Sequence, residues 1–192
     1  MSEQLDLFGI PPPRNDRLFL GALPGSSDSA RITQFAHEWR REFGLTGKPL
    51  ASARLHVSLY ALGDYAGVPG RLVDAAREAG DAVRLQPFDI TFDRVMSFYN
   101  RGRKRAFVLR PSAGITALSE FHRALGDCMK DVGLSRWVTP RFTPHITLLY
   151  DRRMIAEQPV EAVCWHVDRF ALIHSLVGRS RHIHLARWKL AE

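Results

Sequence analysis

The spacing of hydrophobic and polar residues along the chain predicts alternating strands and helices. Short apolar runs, several with period-two alternation, predict strands at residues 16–22, 54–60, 88–99, 105–110, 144–150, 163–174 and 182–189. Longer stretches with helical periodicity predict helices at residues 29–43, 68–79 and 115–132. This order of elements predicts an α+β fold of two similar lobes, each a sheet with helices on its outer face.

Two of the predicted strands contain the same four-residue pattern, His-x-Ser/Thr-hydrophobic. It reads His56-Val57-Ser58-Leu59 in the first strand and His145-Ile146-Thr147-Leu148 in the second. Side chains alternate between the two faces of a strand, so His56 and Ser58 share one face and His145 and Thr147 share another. If the two strands pair, two imidazoles and two hydroxyls face one small polar site.

The surroundings of the two motifs also repeat. Phe19 lies in an apolar strand 37 positions before His56, and Phe107 lies in a similar strand 38 positions before His145. A predicted helix separates strand and motif in both cases. Chance could produce one short pattern twice, but the matching flanks favour a duplicated strand–helix–strand unit.

The motifs resemble those of the two-histidine (2H) phosphoesterases, and among them the RNA 2′,3′-cyclic phosphodiesterases, also called 2′-5′ RNA ligases. The resemblance runs from about residue 17 to residue 190. It rests on Leu55-His56-Val57-Ser58-Leu59, on Phe142-Thr143-Pro144-His145-Ile146-Thr147-Leu148, and on Ser175-Leu176-Val177-Gly178-Arg179 followed by Leu185-Ala186-Arg187-Trp188. Ser58 stands where the family more often has Thr, and Tyr150 stands where many relatives have a basic residue. The resemblance implies two pseudo-symmetric lobes of antiparallel sheet, with outer helices, flanking a central cleft.

The paired histidines suit acid–base chemistry on a phosphate. An imidazole has an unperturbed pKa near 6.5, so one ring can accept a proton from water while the other protonates a leaving oxygen. Ser58 and Thr147 would donate hydrogen bonds to the phosphate oxygens. We therefore expect neither metal nor cofactor. The resemblance implies hydrolysis of an RNA 2′,3′-cyclic phosphate to a 2′-phosphomonoester, with His56 as acid and His145 as base. The reverse reaction would form a 2′-5′ linkage without ATP.

Three other functions are compatible with parts of the sequence. A 2H enzyme could act on a small cyclic nucleotide, or on RNA 3′ ends as an exonuclease. The chain could also be a non-catalytic RNA-binding module, although two intact motifs argue against it. His182 and His184 share one face of a predicted strand and could be half of a metal site, but no Asp, Glu or Cys joins them at a suitable spacing.

The charge of the chain favours a polyanionic partner. The net charge is +7, and 23 of the 27 basic residues are arginines, whose planar guanidinium suits phosphate. A GC-rich genome would enrich arginine in the same way. Arg103 and Arg105 lie in a basic turn, and Arg179 lies before the last strand. These three are the candidates for contact with RNA.

The remaining features of the sequence concern its domain organisation and its expected location. Residues 1–15 are expected to form a flexible tail with three consecutive prolines, and residues 16–192 a single bilobed domain that is monomeric. No apolar run reaches the ~20 residues that span a bilayer, and a signal segment is not evident, so we expect a cytoplasmic protein with no membrane association.

The tail contains Gln4-Leu5-Asp6-Leu7-Phe8, which resembles peptides that dock on the sliding DNA clamp; an incidental amphipathic stretch is the alternative.

Overall fold

The computed structural model describes residues 12–99, 102 and 104–191, which form three α-helices and one eight-stranded antiparallel sheet. The helices are α1 (Ser26–Glu42), α2 (Gly70–Ala82) and α3 (Thr116–Asp131), and single 3-10 turns occupy Ser52–Arg54 and Ser135–Trp137. The strands are β1 (Asp16–Ala22), β2 (Val57–Tyr65), β3 (Phe88–Ser97), β4 (Arg105–Arg110), β5 (Ile146–Asp151), β6 (Gln158–Val167), β7 (Arg169–Leu176) and β8 (Arg181–Lys189).

The sheet consists of two halves with mirrored strand order. The order is β6-β3-β4-β5-β2-β1-β7-β8, so the first half-sheet is β2-β1-β7-β8 and the second half-sheet is β5-β4-β3-β6. The strand that carries a histidine motif is innermost in each half, and the two motif strands meet through the pair Val57 and Ile146. This confirms the predicted α+β fold with two pseudo-symmetric antiparallel lobes.

The repeated spacing in the sequence corresponds to a repeated pairing in the sheet. β1 pairs with β2, where Phe19 lies opposite Ala61, and β4 pairs with β5, where Phe107 lies opposite Leu149. Each pair contains a register shift next to its phenylalanine. The two units therefore share a β-bulge or irregularity at a corresponding place.

The helices cover the faces of the sheet that carry the core. Helix α1 buries Ile32, Ala36 and Trp39, which lie on one side of a helix by their spacing, and it contacts β5 and β6. Helix α3 packs Phe121 on Phe170 of β7 with ring centres 5.2 Å apart.

Helix α3 also fixes which face of β2 is free for the histidine motif. Tyr60 of β2 is 2% exposed and stacks on His122 of α3. Ser58 is exposed and lines a cavity away from that helix. The motif residues therefore line the side of the sheet that α3 leaves uncovered.

Several predicted boundaries differ from the structure. The motif strands begin at Val57 and Ile146 rather than at residues 54 and 144. A 3-10 turn precedes the first strand, and before the second Pro144 has no N–H for a sheet hydrogen bond. Residues 163–174 are not one strand, because β6 ends at Val167 and β7 begins at Arg169 in the other half-sheet. The hydrophobic pattern of one long strand resembles that of two short consecutive strands, so the pattern could not detect this crossing.

Asn15 is part of the folded region, since its carbonyl accepts a hydrogen bond from the Val177 amide. The expected clamp-binding peptide, Gln4 to Phe8, lies outside the described residues. None of the helices in the described part of the chain is both long enough and apolar enough to span a membrane.

Candidate active site

Both motif histidines lie immediately before the first residue of their strand. His56 precedes Val57 and His145 precedes Ile146, and these two strand residues are partners in the sheet. Each histidine is therefore the residue directly before a member of the same strand pair, Val57 and Ile146. The apolar neighbours Val57 and Ile146 are fully buried, which fixes the faces on which the histidines and hydroxyls lie.

The two imidazoles are held in the same tautomer. The Nδ1 atom of His56 lies 2.7 Å from the carbonyl oxygen of Arg54, and the Nδ1 atom of His145 lies 2.7 Å from the carbonyl oxygen of Thr143. A carbonyl oxygen only accepts, so Nδ1 must carry the proton in each ring. In the neutral rings, Nε2 is therefore the basic nitrogen and is available for proton transfer.

The hydroxyls differ in their contacts within the motifs. The Ser58 hydroxyl lies 3.1 Å from Nε2 of His56, and because that nitrogen is unprotonated in the neutral ring, the hydroxyl donates to it. Thr147 lines the same cavity as Ser58 and is half-buried on the corresponding face of β5. Both hydroxyls thus face the space into which the motif histidines also project.

One cavity of about 450 Å³ contains all four predicted motif side chains. The lining residues are Arg17, Phe19, Leu50, Arg54, His56, Ser58, Ala61, Gly63, Asp64, His145, Thr147, Tyr150, Ser175 and His182. The structure therefore brings together His56, Ser58, His145 and Thr147 from two strands that are far apart in sequence.

Aromatic rings hold both imidazoles in place. Phe19 packs on His56 and Phe98 packs on His145, each with ring centres 4.7 Å apart. Motif analysis missed these phenylalanines as site residues. Phe19 was identifiable as part of the repeated unit, but its equivalent Phe107 is in the core, and Phe98 takes its place from the end of β3.

A third imidazole also lies in the cavity. The ring of His182 lies 5.4 Å from that of His56 and 5.5 Å from that of Phe19. The sequence pattern groups His182 with His184 as half of a metal site. The structure instead turns His184 toward Arg187, whose Nε donates to its Nδ1 at 2.7 Å. In the described part of the chain, no three His, Cys, Asp or Glu side chains form a cluster suited to a metal ion.

Burial keeps the cavity imidazoles neutral. Desolvation lowers the pKa of His56 to about 4 although its hydrogen bond to Arg54 opposes the shift, and repulsion from a protonated His145 and from Arg54 adds to it. Desolvation, together with repulsion from a protonated His56, also lowers the pKa of His182 to about 4. Desolvation lowers the pKa of His145 as well, although its hydrogen bond to Thr143 opposes the shift.

Two arginines line the cavity, and they differ in their partners. Arg17 makes a bidentate ion pair with Asp64, with nitrogen–oxygen distances of 2.7 and 2.8 Å. The guanidinium of Arg54 has no carboxylate partner among the described residues, and its Nε is buried without a hydrogen bond. Arg54 is therefore the cation that is available to an anion in this cavity.

Of the three arginines predicted from sequence as RNA contacts, Arg105 and Arg179 are not among the described residues that line the cavity. Arg103 lies outside the described residues. The guanidinium of Arg105 donates to the carbonyl oxygen of Arg152 at 2.7 Å, so part of its hydrogen-bonding capacity is used within the protein. Arg179 is exposed in the turn before β8, where its charge contributes to lowering the pKa of Asp16.

Comparison with known proteins points to one family. The sequence matches the family model of the 2′-5′ RNA ligase superfamily over residues 26–179. No curated protein sequence matches the chain.

Solved structures resemble the fold over almost its whole length. LigT of E. coli complexed with 3′-AMP is 26% identical with a TM-score of 0.68, covering 92% of this chain and 99% of LigT. LigT complexed with phosphate is 25% identical with a TM-score of 0.66, covering 94% of this chain and 100% of LigT. TT0787 of Thermus thermophilus is 22% identical with a TM-score of 0.71, covering 91% of this chain and 97% of that one, and it supports the fold alone.

Proposed function

Because the chain belongs to the 2′-5′ RNA ligase superfamily of 2H phosphoesterases, we propose that it hydrolyses RNA 2′,3′-cyclic phosphate ends to 2′-phosphomonoesters without a metal ion. The observation that carries this proposal is the pair of imidazoles held by backbone carbonyls, His56 on Arg54 and His145 on Thr143. Both rings keep Nε2 free of a proton within one cavity. Two groups that can exchange protons on either side of a phosphate are what the reaction requires.

In the proposed reaction, His145 is the base and His56 is the acid. A water molecule attacks phosphorus and loses a proton to Nε2 of His145, while the bond from phosphorus to the ribose O3′ breaks. The protonated Nε2 of His56 gives its proton to O3′, and the phosphate stays on O2′. This assignment of the two roles follows the family resemblance. With an RNA 5′-hydroxyl in the place of water, the reverse reaction would form a 2′-5′ bond.

The proton for the acid is supplied when substrate binds. His56 is neutral in the free cavity near neutral pH, because its pKa is lowered to about 4. A cyclic phosphate carries one negative charge, and an anion beside an imidazole favours its protonated form. Substrate binding thus raises the pKa of His56 from its value in the free protein and recruits the proton that O3′ receives.

The hydroxyls and Arg54 would stabilise the phosphate as its charge rises. Ser58 donates to Nε2 of His56 in the free protein and would turn to a non-bridging phosphate oxygen once that nitrogen is protonated. Thr147 lines the same cavity from β5. Donors that are already in position before the reaction stabilise the transition state at little cost of reorganisation. The complexes of LigT with 3′-AMP and with phosphate support a nucleotide phosphate as ligand in this fold.

The decisive experiment uses an RNA oligonucleotide that ends in a 2′,3′-cyclic phosphate. We expect the purified protein to convert it to a single monoester, which phosphorus NMR identifies as the 2′-phosphate. His56→Ala should slow formation of this product by roughly 10²–10⁴-fold. Formation of shortened RNA would indicate an exonuclease, and binding without any product would indicate an RNA-binding module. Turnover of a small 3′,5′-cyclic nucleotide in place of RNA ends would assign the site to that substrate.

A further inference from the structure

Arg54 lines two adjoining cavities. The first is the cavity of the histidines. The second has a volume of about 420 Å³ and is lined by Thr46, Gly47, Lys48, Leu50, Arg54, Lys104, Tyr150, Asp151, Arg152 and Ser180. Leu50, Arg54 and Tyr150 belong to both linings, so these three side chains form the boundary that the two cavities share.

The local fold aims Arg54 at this boundary. It ends the 3-10 turn Ser52–Arg54, and its carbonyl oxygen is fixed by the hydrogen bond from His56. Its charge is close enough to lower the pKa of both His56 and His182. No carboxylate of the described residues forms an ion pair with it, and its Nε is buried without a partner. A buried guanidinium nitrogen without an acceptor carries a large desolvation cost, which an anionic ligand would offset.

The second cavity is built to be cationic. Lys48, Lys104 and Arg152 join Arg54 in its lining, and Asp151 is the carboxylate among the described lining residues. That carboxylate already accepts hydrogen bonds from the amides of Thr46, Gly47 and Arg153 and from the Thr46 hydroxyl, at 2.6–3.1 Å. Burial alone would raise the pKa of Asp151, but these hydrogen bonds lower it to about 2. Asp151 thus acts as a structural anchor for the loop that carries Lys48.

The loop is held against β5 in a way that keeps the second cavity next to the first. The amide of Leu50 donates to the carbonyl of Leu148 at 2.8 Å. Gly47 lies so close to the backbone of Tyr150 that a side chain would not fit, since a Cβ atom at this position would clash with the Tyr150 carbonyl oxygen. Because of this close approach, Lys48 and Tyr150 both line the second cavity. Tyr150 is 46% exposed and offers a ring on which a base can stack.

We propose that the second cavity is a subsite for the neighbouring nucleotide of an RNA chain, with Arg54, Lys48 and Arg152 binding its phosphodiester and Tyr150 its base. This inference rests on the proposed function and deepens it. The substrate of the enzyme is then an oligonucleotide, and a mononucleotide 2′,3′-cyclic phosphate occupies only the histidine cavity. The neighbouring nucleotide has a phosphate and a base, and the subsite provides cations for the former and an aromatic ring for the latter.

The test compares two substrates with the same terminal nucleotide: adenosine 2′,3′-cyclic phosphate and the dinucleotide adenylyl-(3′→5′)-adenosine 2′,3′-cyclic phosphate. We expect a kcat/KM about tenfold or more higher for the dinucleotide, the worth of about one charge-assisted contact. Lys48→Ala/Arg152→Ala should reduce the ratio of the two kcat/KM values toward one and weaken the dependence of dinucleotide binding on salt. The matched control is Arg71→Ala/Lys189→Ala, which removes two exposed cations elsewhere and should leave the ratio unchanged.

Equilibrium binding keeps the two proposals separable. Calorimetry with adenosine 2′-monophosphate and with the dinucleotide adenylyl-(3′→5′)-adenosine 2′-monophosphate measures the subsite even if the protein hydrolyses neither cyclic phosphate. Tighter binding of the dinucleotide that Lys48→Ala/Arg152→Ala abolishes supports the subsite. Equal affinity for both ligands would overturn the subsite, and so would a dinucleotide advantage that the subsite variant and the control variant reduce equally. In either case the proposed hydrolysis still holds if the protein turns over the mononucleotide.

Discussion

The carbonyl oxygen of Arg54 accepts a hydrogen bond from Nδ1 of His56 at 2.7 Å, so one residue both fixes a histidine and places a cation beside it. His145 has the same backbone contact with Thr143, but a threonine provides no charge there. The duplicated units are therefore geometrically equivalent and electrostatically different. The Arg54 charge disfavours protonation of His56 in the free protein, so the acid role proposed for His56 requires the negative charge of the bound phosphate.

Removal of either motif histidine should nearly eliminate turnover. His56→Ala and His145→Ala should each reduce kcat for a 2′,3′-cyclic phosphate by roughly 10²–10⁴-fold, the usual contribution of a positioned acid or base. The double variant should be scarcely slower than the slower single variant, because the two groups act as one unit. Steady-state kinetics measures this, with His37→Ala on an exposed helix surface as control. Near-normal rates in both single variants would show that the reaction occurs elsewhere.

The two hydroxyls should affect kcat more than substrate binding. Ser58→Ala and Thr147→Ala each remove a donor that strengthens as charge builds on the phosphate, so we expect kcat to fall by about 10–10³-fold. Ser58→Thr keeps the hydroxyl and should retain most of the activity. A Ser58→Thr variant as slow as Ser58→Ala would mean that side-chain shape matters there and the hydrogen bond does not.

The pH dependence of the rate should differ between free and bound enzyme. Desolvation lowers the pKa of His56 to about 4 and also lowers that of His145 below 6.5, and kcat/KM reports these groups in the free enzyme. We therefore expect a bell-shaped kcat/KM profile with its maximum below pH 6.5. The maximum of kcat should lie at higher pH, because the bound phosphate anion stabilises an imidazolium. Superimposable kcat and kcat/KM profiles would contradict this account.

The same shift predicts a loss of stability in acid. The pKa of His56 is about 4 in the folded protein and near 6.5 when unfolded, so between these values the unfolded chain binds a proton that the folded chain does not. The free energy of unfolding should therefore decrease as pH falls from 6.5 to about 4. In His56→Gln the decrease should be smaller, as measured by urea denaturation across this range. The exposed His37→Gln is the control, and equal pH slopes in all three proteins would refute the buried neutral imidazole.

A chelator should leave the activity unchanged. The proposed mechanism takes its proton transfers from His56 and His145 and its charge stabilisation from Ser58, Thr147 and Arg54, so none of its steps needs a metal. Rates measured after dialysis against EDTA should equal those before it. Loss of activity that zinc or manganese restores would instead favour a metal hydrolase.

The sequence predicted the repeated unit and its four motif residues because they follow local rules. The apolar pattern placed β1 and β4 at their observed bounds, and the spacing from Phe19 to His56 nearly matched that from Phe107 to His145. The residues that complete the site come from elsewhere in the chain. Phe98 follows β3 and His182 lies in β8, and they lie near the motif histidines because of the order in which the strands are arranged in the sheet. No local pattern indicates that order, and the unpaired state of Arg54 depends on side chains that are distant in sequence.

The pair Val57 and Ile146 joins the two motif strands, and its packing therefore decides whether the two halves of the site are aligned. Each half of the molecule supplies one imidazole, one hydroxyl and one supporting phenylalanine, so neither half can perform the reaction alone. Proton transfer depends on the alignment of two separately built parts, and that alignment passes through this buried junction. Damage to packing at the junction would therefore stop the reaction by misaligning the two halves, and because both residues are fully buried it would also lower the stability of the fold.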